Sequence, residues 1–285
     1  MKKLKSYLKL MRVRHYIKNL IVLLPLFFSE QFLSEPLKLR NAILGLLAMC
    51  MAASAVYIVN DLHDVEKDRS HPTKCRRPLA SGEISPIEAY GLLTVLLVLC
   101  IFFSFLIGNL PGALILVLYL ILNLCYSYGL KNQPVIDVVI LVSGYVLRLL
   151  YGALITDIKV SAWLFLTVMS GSFFLGFGKR RNEYQIQKGD EASRPVLKKY
   201  SLNFLDKNMY CFMTLTDMFY SLWVIEKMKN ILFWSIPVFF LILMLYSFDV
   251  EGNTDGDPVE VILGDRKILL LAAVYGILVI CGVYL

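Results

Sequence analysis

The segment Asn60-Asp61-Leu62-His63-Asp64-Val65-Glu66-Lys67-Asp68 carries three aspartates at positions i, i+3 and i+7. On a helix these positions share one face. An apolar run enters the segment from its N-terminal side. The carboxylates therefore fall near a helix C-terminus, where the dipole disfavours anions. They also repel one another, so the cluster requires a compensating cation. A hard divalent ion such as Mg2+ suits carboxylate oxygens, and it usually takes one or two of them together with ligand phosphates. Arg69, Lys74, Arg76 and Arg77 follow within the same stretch. Acids for a metal beside bases for phosphate form the pattern expected of a diphosphate site. The alternative is a solvated loop whose charges neutralise one another locally.

The elements that must position these residues are membrane helices. Hydrophobic residues make up 58% of the 285-residue chain, and mean hydropathy is +0.64. A soluble domain sits near 45–50% apolar, roughly. Nine apolar runs lie at 19–33, 41–60, 89–107, 112–129, 135–155, 161–178, 208–225, 231–248 and 268–285. Most approach the ~20 residues that span a bilayer as a helix. The first is short and contains Pro25, and the seventh contains Asp217. None alternates as a transmembrane barrel strand does. The expected fold is all-α, with nine transmembrane helices in a single domain over 1–285. Pro72 and Pro78 are expected to end regular helix after the aspartates.

The net charge of +7 is distributed as membrane orientation predicts. With the N-terminus inside, the inner segments hold 23 Lys and Arg, the outer segments five, and Arg148 lies within a helix. This asymmetry gives an N-in, C-out topology and argues against nucleic acid as a partner. The two largest inner segments, 61–88 and 179–207, are both basic, which places any chemistry at the cytoplasmic face. The first run lacks a small-residue cleavage site and reads as a retained helix. The six cysteines form no CxxC pair and read as free thiols.

Other polar residues lie inside the runs. Asp137 and Arg148 are eleven residues apart, about three turns, and so share a face of the fifth helix. A charge at the bilayer centre costs roughly 2.5–3.5 kcal/mol, so Arg148 must face the bundle interior or a wet cavity. Arg148 either holds a phosphate or pairs with Asp137, Asp217 or a helix end. Asp217 reads as a structural partner or a displaced helix boundary. His15 and His63 lack a ligand partner at useful spacing.

The motif Asn60-Asp61-x-x-Asp64-x-x-x-Asp68 resembles the first aspartate motif of the UbiA superfamily of intramembrane prenyltransferases. That resemblance implies nine transmembrane helices around a central cavity. The extension Arg69-x-His71-Pro72-x-Lys74-x-x-Arg77-Pro78 is more specific and is similar to the decaprenyl-phosphate phosphoribosyltransferase branch. Similarity to that branch continues at Arg12-x-Arg14-x-x-x-Lys18-Asn19 and at Asn123-x-x-Tyr126-Ser127-x-x-Leu130-Lys131. It includes Asp137 through Arg148 with Gly152-Ala153, then Gly178-Lys179-Arg180-x-x-Glu183, and Pro258-x-Glu260 with Asp265-Arg266. One departure stands out. The wider superfamily carries a second acidic motif after the sixth helix, where this chain has Lys179-Arg180-Arg181-Asn182-Glu183. Basic residues there favour additional phosphate, although they also fit a positive-inside anchor.

The resemblance implies an enzyme of the bacterial inner membrane. It would move 5-phosphoribose from phosphoribosyl pyrophosphate (PRPP) to a polyprenyl phosphate, releasing diphosphate. Asp61, Asp64 and Asp68 would be catalytic and hold Mg2+. Lys18, Asn19, Asn60, Arg69, Lys74, Arg77, Tyr126, Lys131, Arg148, Lys179, Arg180 and Glu183 would contact substrates. The lipid tail would lie among the helices or in a groove open to the bilayer, and the chain is compatible with a homo-oligomer. Prenyl transfer from a polyprenyl diphosphate to an aromatic or other acceptor is the alternative reaction. A transporter or scaffold is the reading from another class.

Overall fold

The computed structural model describes residues 2–70, 74–186, 195–252 and 257–285. His71 and Pro72 of the extended motif lie outside the described residues. Those residues form helices: α1 Lys2–Leu10, α2 Leu24–Phe28, α3 Pro36–His63, α4 Val65–Arg69, α5 Pro86–Ile107, α6 Leu110–Ser127, α7 Ile136–Thr156, α8 Ala162–Ile186, α9 Leu202–Lys227, α10 Asn230–Phe233, α11 Ser235–Glu251, α12 Pro258–Gly264 and α13 Arg266–Tyr284. A 3-10 stretch, Val13–Leu23, joins α1 to α2.

Seven helical segments are long and apolar enough to cross a membrane: α3, α5, α6, α7, α8, α13, and the segment Asn230–Glu251 containing α10 and α11. Two expected spans differ. The first apolar run is divided between the 3-10 stretch and α2, with Pro25 at the start of α2, where its missing N–H costs nothing. The seventh lies within α9, which has 26 residues but interrupts its apolar sequence with Asp217. Two expected loops also begin later. Helix α3 runs through Asp61 to His63, and α8 runs past Lys179 to Ile186. Hydropathy falls at the first charged residue, whereas in α8 the Lys, Arg, Glu and Gln of 179–185 are good helix formers and carry the helix onward.

The chain divides into two compact units. The first comprises Met1–Lys131 with Leu147–Ile158. Its central element is α3, whose small residues Ala42, Gly45, Ala48, Ala52, Ala53 and Ala55 are buried and permit close helix packing. Tyr151 and Ile155 of α7 join Val22, Met49 and Leu116 in its core. Helix α5 starts at a Ser85–Glu88 capping box with Pro86 in the first turn and ends at Gly108 with φ 68°, a left-handed conformation that favours glycine. Asn109 then caps α6 by accepting from Gly112 N–H, so α5 and α6 are joined by a two-residue turn. Val95, Val98, Ile101, Phe102 and Phe105 of α5 are exposed, as a lipid-facing surface should be.

The second unit comprises Asn132–Val146 with Lys159–Leu285. Helices α8 and α9 pack along each other. The core of this unit gathers Val138, Phe174, Phe177, Met209, Tyr246 and Val250.

Candidate active site

At 28 residues, α3 is about 42 Å long and exceeds the ~30 Å hydrocarbon thickness. Its last turns therefore carry Asn60 and Asp61 past the apolar segment. Asp64 caps the helix, and α4 follows at once with Asp68 in its last turn. Backbone hydrogen bonds from Asp64 N to Asn60 O and from Asp68 N to Asp64 O, at 2.9 and 2.8 Å, continue the helical register across the break. The shared face expected from the spacing is retained.

Each aspartate has a cationic partner. Arg77 Nη1 donates to Asp61 Oδ1 at 3.1 Å and to Asp68 Oδ2 at 2.6 Å, so one guanidinium nitrogen joins two carboxylates. Arg12 Nη2 donates to the same Asp61 oxygen at 2.7 Å. Lys131 Nζ contacts both oxygens of Asp64, at 3.0 and 2.8 Å. Asp61 and Asp68 are buried, while Asp64 is half-buried. The cation demanded by the clustered acids is thus supplied here by side chains. Among the described residues no three His, Cys, Asp or Glu side chains form a preassembled metal cluster. The donor set still fits Mg2+: two carboxylate oxygens held at one point are the number this ion usually takes from protein when phosphates complete its shell.

The remaining expected site residues distribute unevenly. Asn60 Oδ1 accepts from Ser127 Oγ at 3.2 Å, which ties the end of α6 to the end of α3. Lys18, Lys74 and Tyr126 are half-buried in the same unit. Arg69 is exposed and pairs with Glu66, because i and i+3 meet on the outer side of α4, away from the aspartates.

Deeper in the first unit, Arg148 is buried. Its Nε donates to Asn19 Oδ1 at 2.7 Å and its Nη2 to Tyr119 OH at 2.9 Å, with the guanidinium carbon 4.8 Å from the Tyr119 ring centre. Asn19 in turn donates to Cys50 Sγ at 3.2 Å. These contacts are not among the partners weighed from the sequence.

In the second unit, Lys179 Nζ lies 3.5 Å from Asp257 Oδ2. Arg180 has no exposed surface; its Nε donates to Asp137 Oδ2 and its Nη1 to Glu183 Oε2, the latter at 2.6 Å. Arg181 pairs with Asp206 at 2.6 Å. Each of these bases thus has a carboxylate beside it, and Arg180 is enclosed. Tyr200 donates to Asp137 Oδ1 at 2.6 Å, and burial followed by that hydrogen bond holds its phenol above the ordinary tyrosine range.

Arg12, Tyr57, Ser127 and Tyr119 were not among the expected site residues. Arg12 was visible as part of a basic N-terminal pattern. It adopts φ 53° and rests 4.4 Å from the Tyr57 ring centre, a placement that only the turn after α1 produces. Ser127 was visible within the Asn123-x-x-Tyr126-Ser127 motif, whereas Tyr119 sits in an apolar run with no distinguishing signal.

Helices long and apolar enough to cross a membrane thus bring a cluster of paired acids and bases to one helix end. The chain belongs to the UbiA prenyltransferase family, whose profile matches residues 22–260, and it is a membrane transferase. It is similar to decaprenyl-phosphate phosphoribosyltransferase of Corynebacterium glutamicum, with 31% identity over 98% of this chain and 86% of that protein. The enzyme of that name from Mycobacterium tuberculosis is 34% identical over 93% of this chain and 89% of its own. In fold it is similar to a UbiA homolog from Archaeoglobus fulgidus bound to GPP and Mg2+, with a TM-score of 0.71, 19% identity, and coverage of 98% of this chain and 100% of that one.

Proposed function

We propose that the protein transfers 5-phosphoribose from PRPP to a polyprenyl phosphate with release of diphosphate. The observation that carries the reading is the Asp61–Arg77–Asp68 junction, with Arg12 and the Asp64–Lys131 pair beside it. The names and long coverage of the similar enzymes from Corynebacterium glutamicum and Mycobacterium tuberculosis support the choice of phosphoribosyl over prenyl transfer.

Asp61, Asp64 and Asp68 would hold Mg2+, which when bound neutralises the diphosphate as it leaves. Arg12, Arg77 and Lys131 exchange a carboxylate for substrate phosphate oxygens, keeping each charge compensated throughout. Donors fixed before substrate arrives stabilise the charge that develops on the leaving oxygen. The bond from ribose C1 to the diphosphate oxygen breaks, and a lipid-phosphate oxygen forms the new bond to C1. That nucleophile is already anionic, so no general base is required. Lys18, Arg148 and Lys179 are further proposed phosphate contacts. We place the reaction at the cytoplasmic face of a bacterial inner membrane. The expected topology is nine helices, N-in and C-out; the basic bias of the inner segments supports the orientation.

The test is purified protein with radiolabelled PRPP, Mg2+ and polyprenyl phosphate. A lipid-linked phosphopentose that requires all three components is expected. No such product, with prenylation of an aromatic acid from a polyprenyl diphosphate instead, overturns the proposal.

A further inference from the structure

The N-terminal helix α1 reads Lys2-Lys3-Leu4-Lys5-Ser6-Tyr7-Leu8-Lys9-Leu10. With about 3.6 residues per turn, these positions separate into three faces. Lys3, Ser6, Tyr7 and Leu10 form the first, and the protein engages all of them. Lys3 pairs with Glu88, and Tyr7 OH donates to Glu88 Oε1 at 3.3 Å. Ser6 Oγ donates to Glu83 Oε2 at 2.7 Å, and Leu10 is fully buried in a core with Ile58 and Ile84. Leu4 and Leu8, one turn apart, form the second face and are 63% and 47% exposed. Lys5 and Lys9 form the third and are both exposed, with Lys9 Nζ also donating to Arg76 O at 2.7 Å. Beside them opens a cleft of about 590 Å3, lined by Lys3, Lys5, Ser6, Lys9 and Glu83.

The depth of α1 is set by its partners. Glu88 lies in the first turn of the membrane helix α5, and the exposed apolar surface of that helix begins at Ile87 and Tyr90. Leu4 and Leu8 therefore stand at the level where α5 passes from polar to apolar surroundings. A nine-residue helix is too short to persist alone in water, so its stability must come from packing. The first face packs on protein. The second and third have the chemistry of the boundary between headgroups and acyl chains.

We infer that α1 is a bilayer-surface helix that binds an anionic phospholipid headgroup in the Lys5–Lys9 cleft, with Leu4 and Leu8 entering the acyl boundary. The adjoining exposed leucine pair favours a headgroup over a soluble phosphate, which has no use for apolar surface. This contact also steadies the site. Arg12 follows α1 directly, its N–H bonds Lys9 O at 3.2 Å, and its side chain reaches Asp61. The helix orientation is thereby passed to Arg12. The lipid contact stands whichever reaction the aspartates serve.

The test is hydrogen exchange over residues 2–12 of the full chain in nanodiscs of phosphatidylcholine, without and with phosphatidylglycerol. Two lysines on an anionic surface predict protection roughly thirtyfold greater with phosphatidylglycerol, lost near 1 M salt, where the screening length is about 3 Å. Lys5→Gln with Lys9→Gln abolishes the lipid dependence, and Leu4→Gln with Leu8→Gln reduces protection in both lipids. Equal exchange of the unaltered protein in the two nanodiscs overturns the inference. Protection in phosphatidylcholine raised equally by inorganic phosphate also overturns it, since it identifies a soluble-phosphate site.

Discussion

Replacing Asp137 by Asn separates a structural role for Arg180 from a substrate-binding one. Asp137 and Arg180 have no exposed side-chain surface, and Asp137 accepts from both Arg180 and Tyr200. Breaking a buried pair from one side costs about 3–5 kcal/mol, because the surviving charge stays buried. Glu183 still accepts from Arg180 at 2.6 Å, and an Asn oxygen still accepts from Tyr200, so the lower end applies, about 3 kcal/mol. At about 2–4 °C per kcal/mol, the apparent Tm in detergent should fall by roughly 6–12 °C. The assay is thermal unfolding of purified wild type, Asp137→Asn, and the double variant Asp137→Leu with Arg180→Met. An apolar replacement of a whole buried pair is often neutral, so the double variant should recover part of the loss, less about 1–2 kcal/mol for leaving the Tyr200 hydroxyl without its Asp137 acceptor. Unchanged Tm in Asp137→Asn, or a double variant no more stable than the single one, refutes the structural reading of Arg180. Activity lost without loss of Tm then returns Arg180 to the substrate.

Three further outcomes follow from particular contacts. On the proposed phosphoribosyl transfer, Arg77→Ala removes the single nitrogen that joins Asp61 and Asp68; the KM for PRPP should rise about tenfold or more, as steady-state kinetics will show. Gly152→Ala places a methyl group against the Val22 carbonyl, within backbone that cannot swing aside; thermal unfolding should show a loss of about 1–3 kcal/mol. Val135 holds φ 67°, a strained conformation for a β-branched residue, while its N–H donates to Tyr200 OH at 2.6 Å. Val135→Gly relieves that strain and should raise Tm by an amount equivalent to about 1 kcal/mol, whereas Tyr200→Phe should lower it by about 1–2 kcal/mol.

The amino-acid order alone determined that this is a helical membrane protein, because apolar runs of spanning length need lipid as their solvent. It also placed Asp61, Asp64 and Asp68 on one face at a helix end, since helical periodicity and the preceding run are both local properties. The free state of the cysteines was legible for the same reason, with no paired spacing present. Helix ends were less legible. Asp61 and Lys179 lie on helices rather than in loops, because hydropathy marks where the apolar segment ends and not where the helix ends. Partner choice was decided by tertiary structure. Arg12 meets Asp61 across 49 residues of sequence and Lys131 meets Asp64 across 67, while Arg69, adjacent to Asp68, turns away to Glu66. Arg148 read as a buried cation and Arg180 as a phosphate-binding or positive-inside base, yet Arg148 bonds Asn19 and Tyr119, and Arg180 is enclosed with Asp137 and Glu183. A sequence fixes which charges exist and roughly how deep they lie. Only packing brings a particular acid within 3 Å, about one hydrogen-bond length, of a particular base.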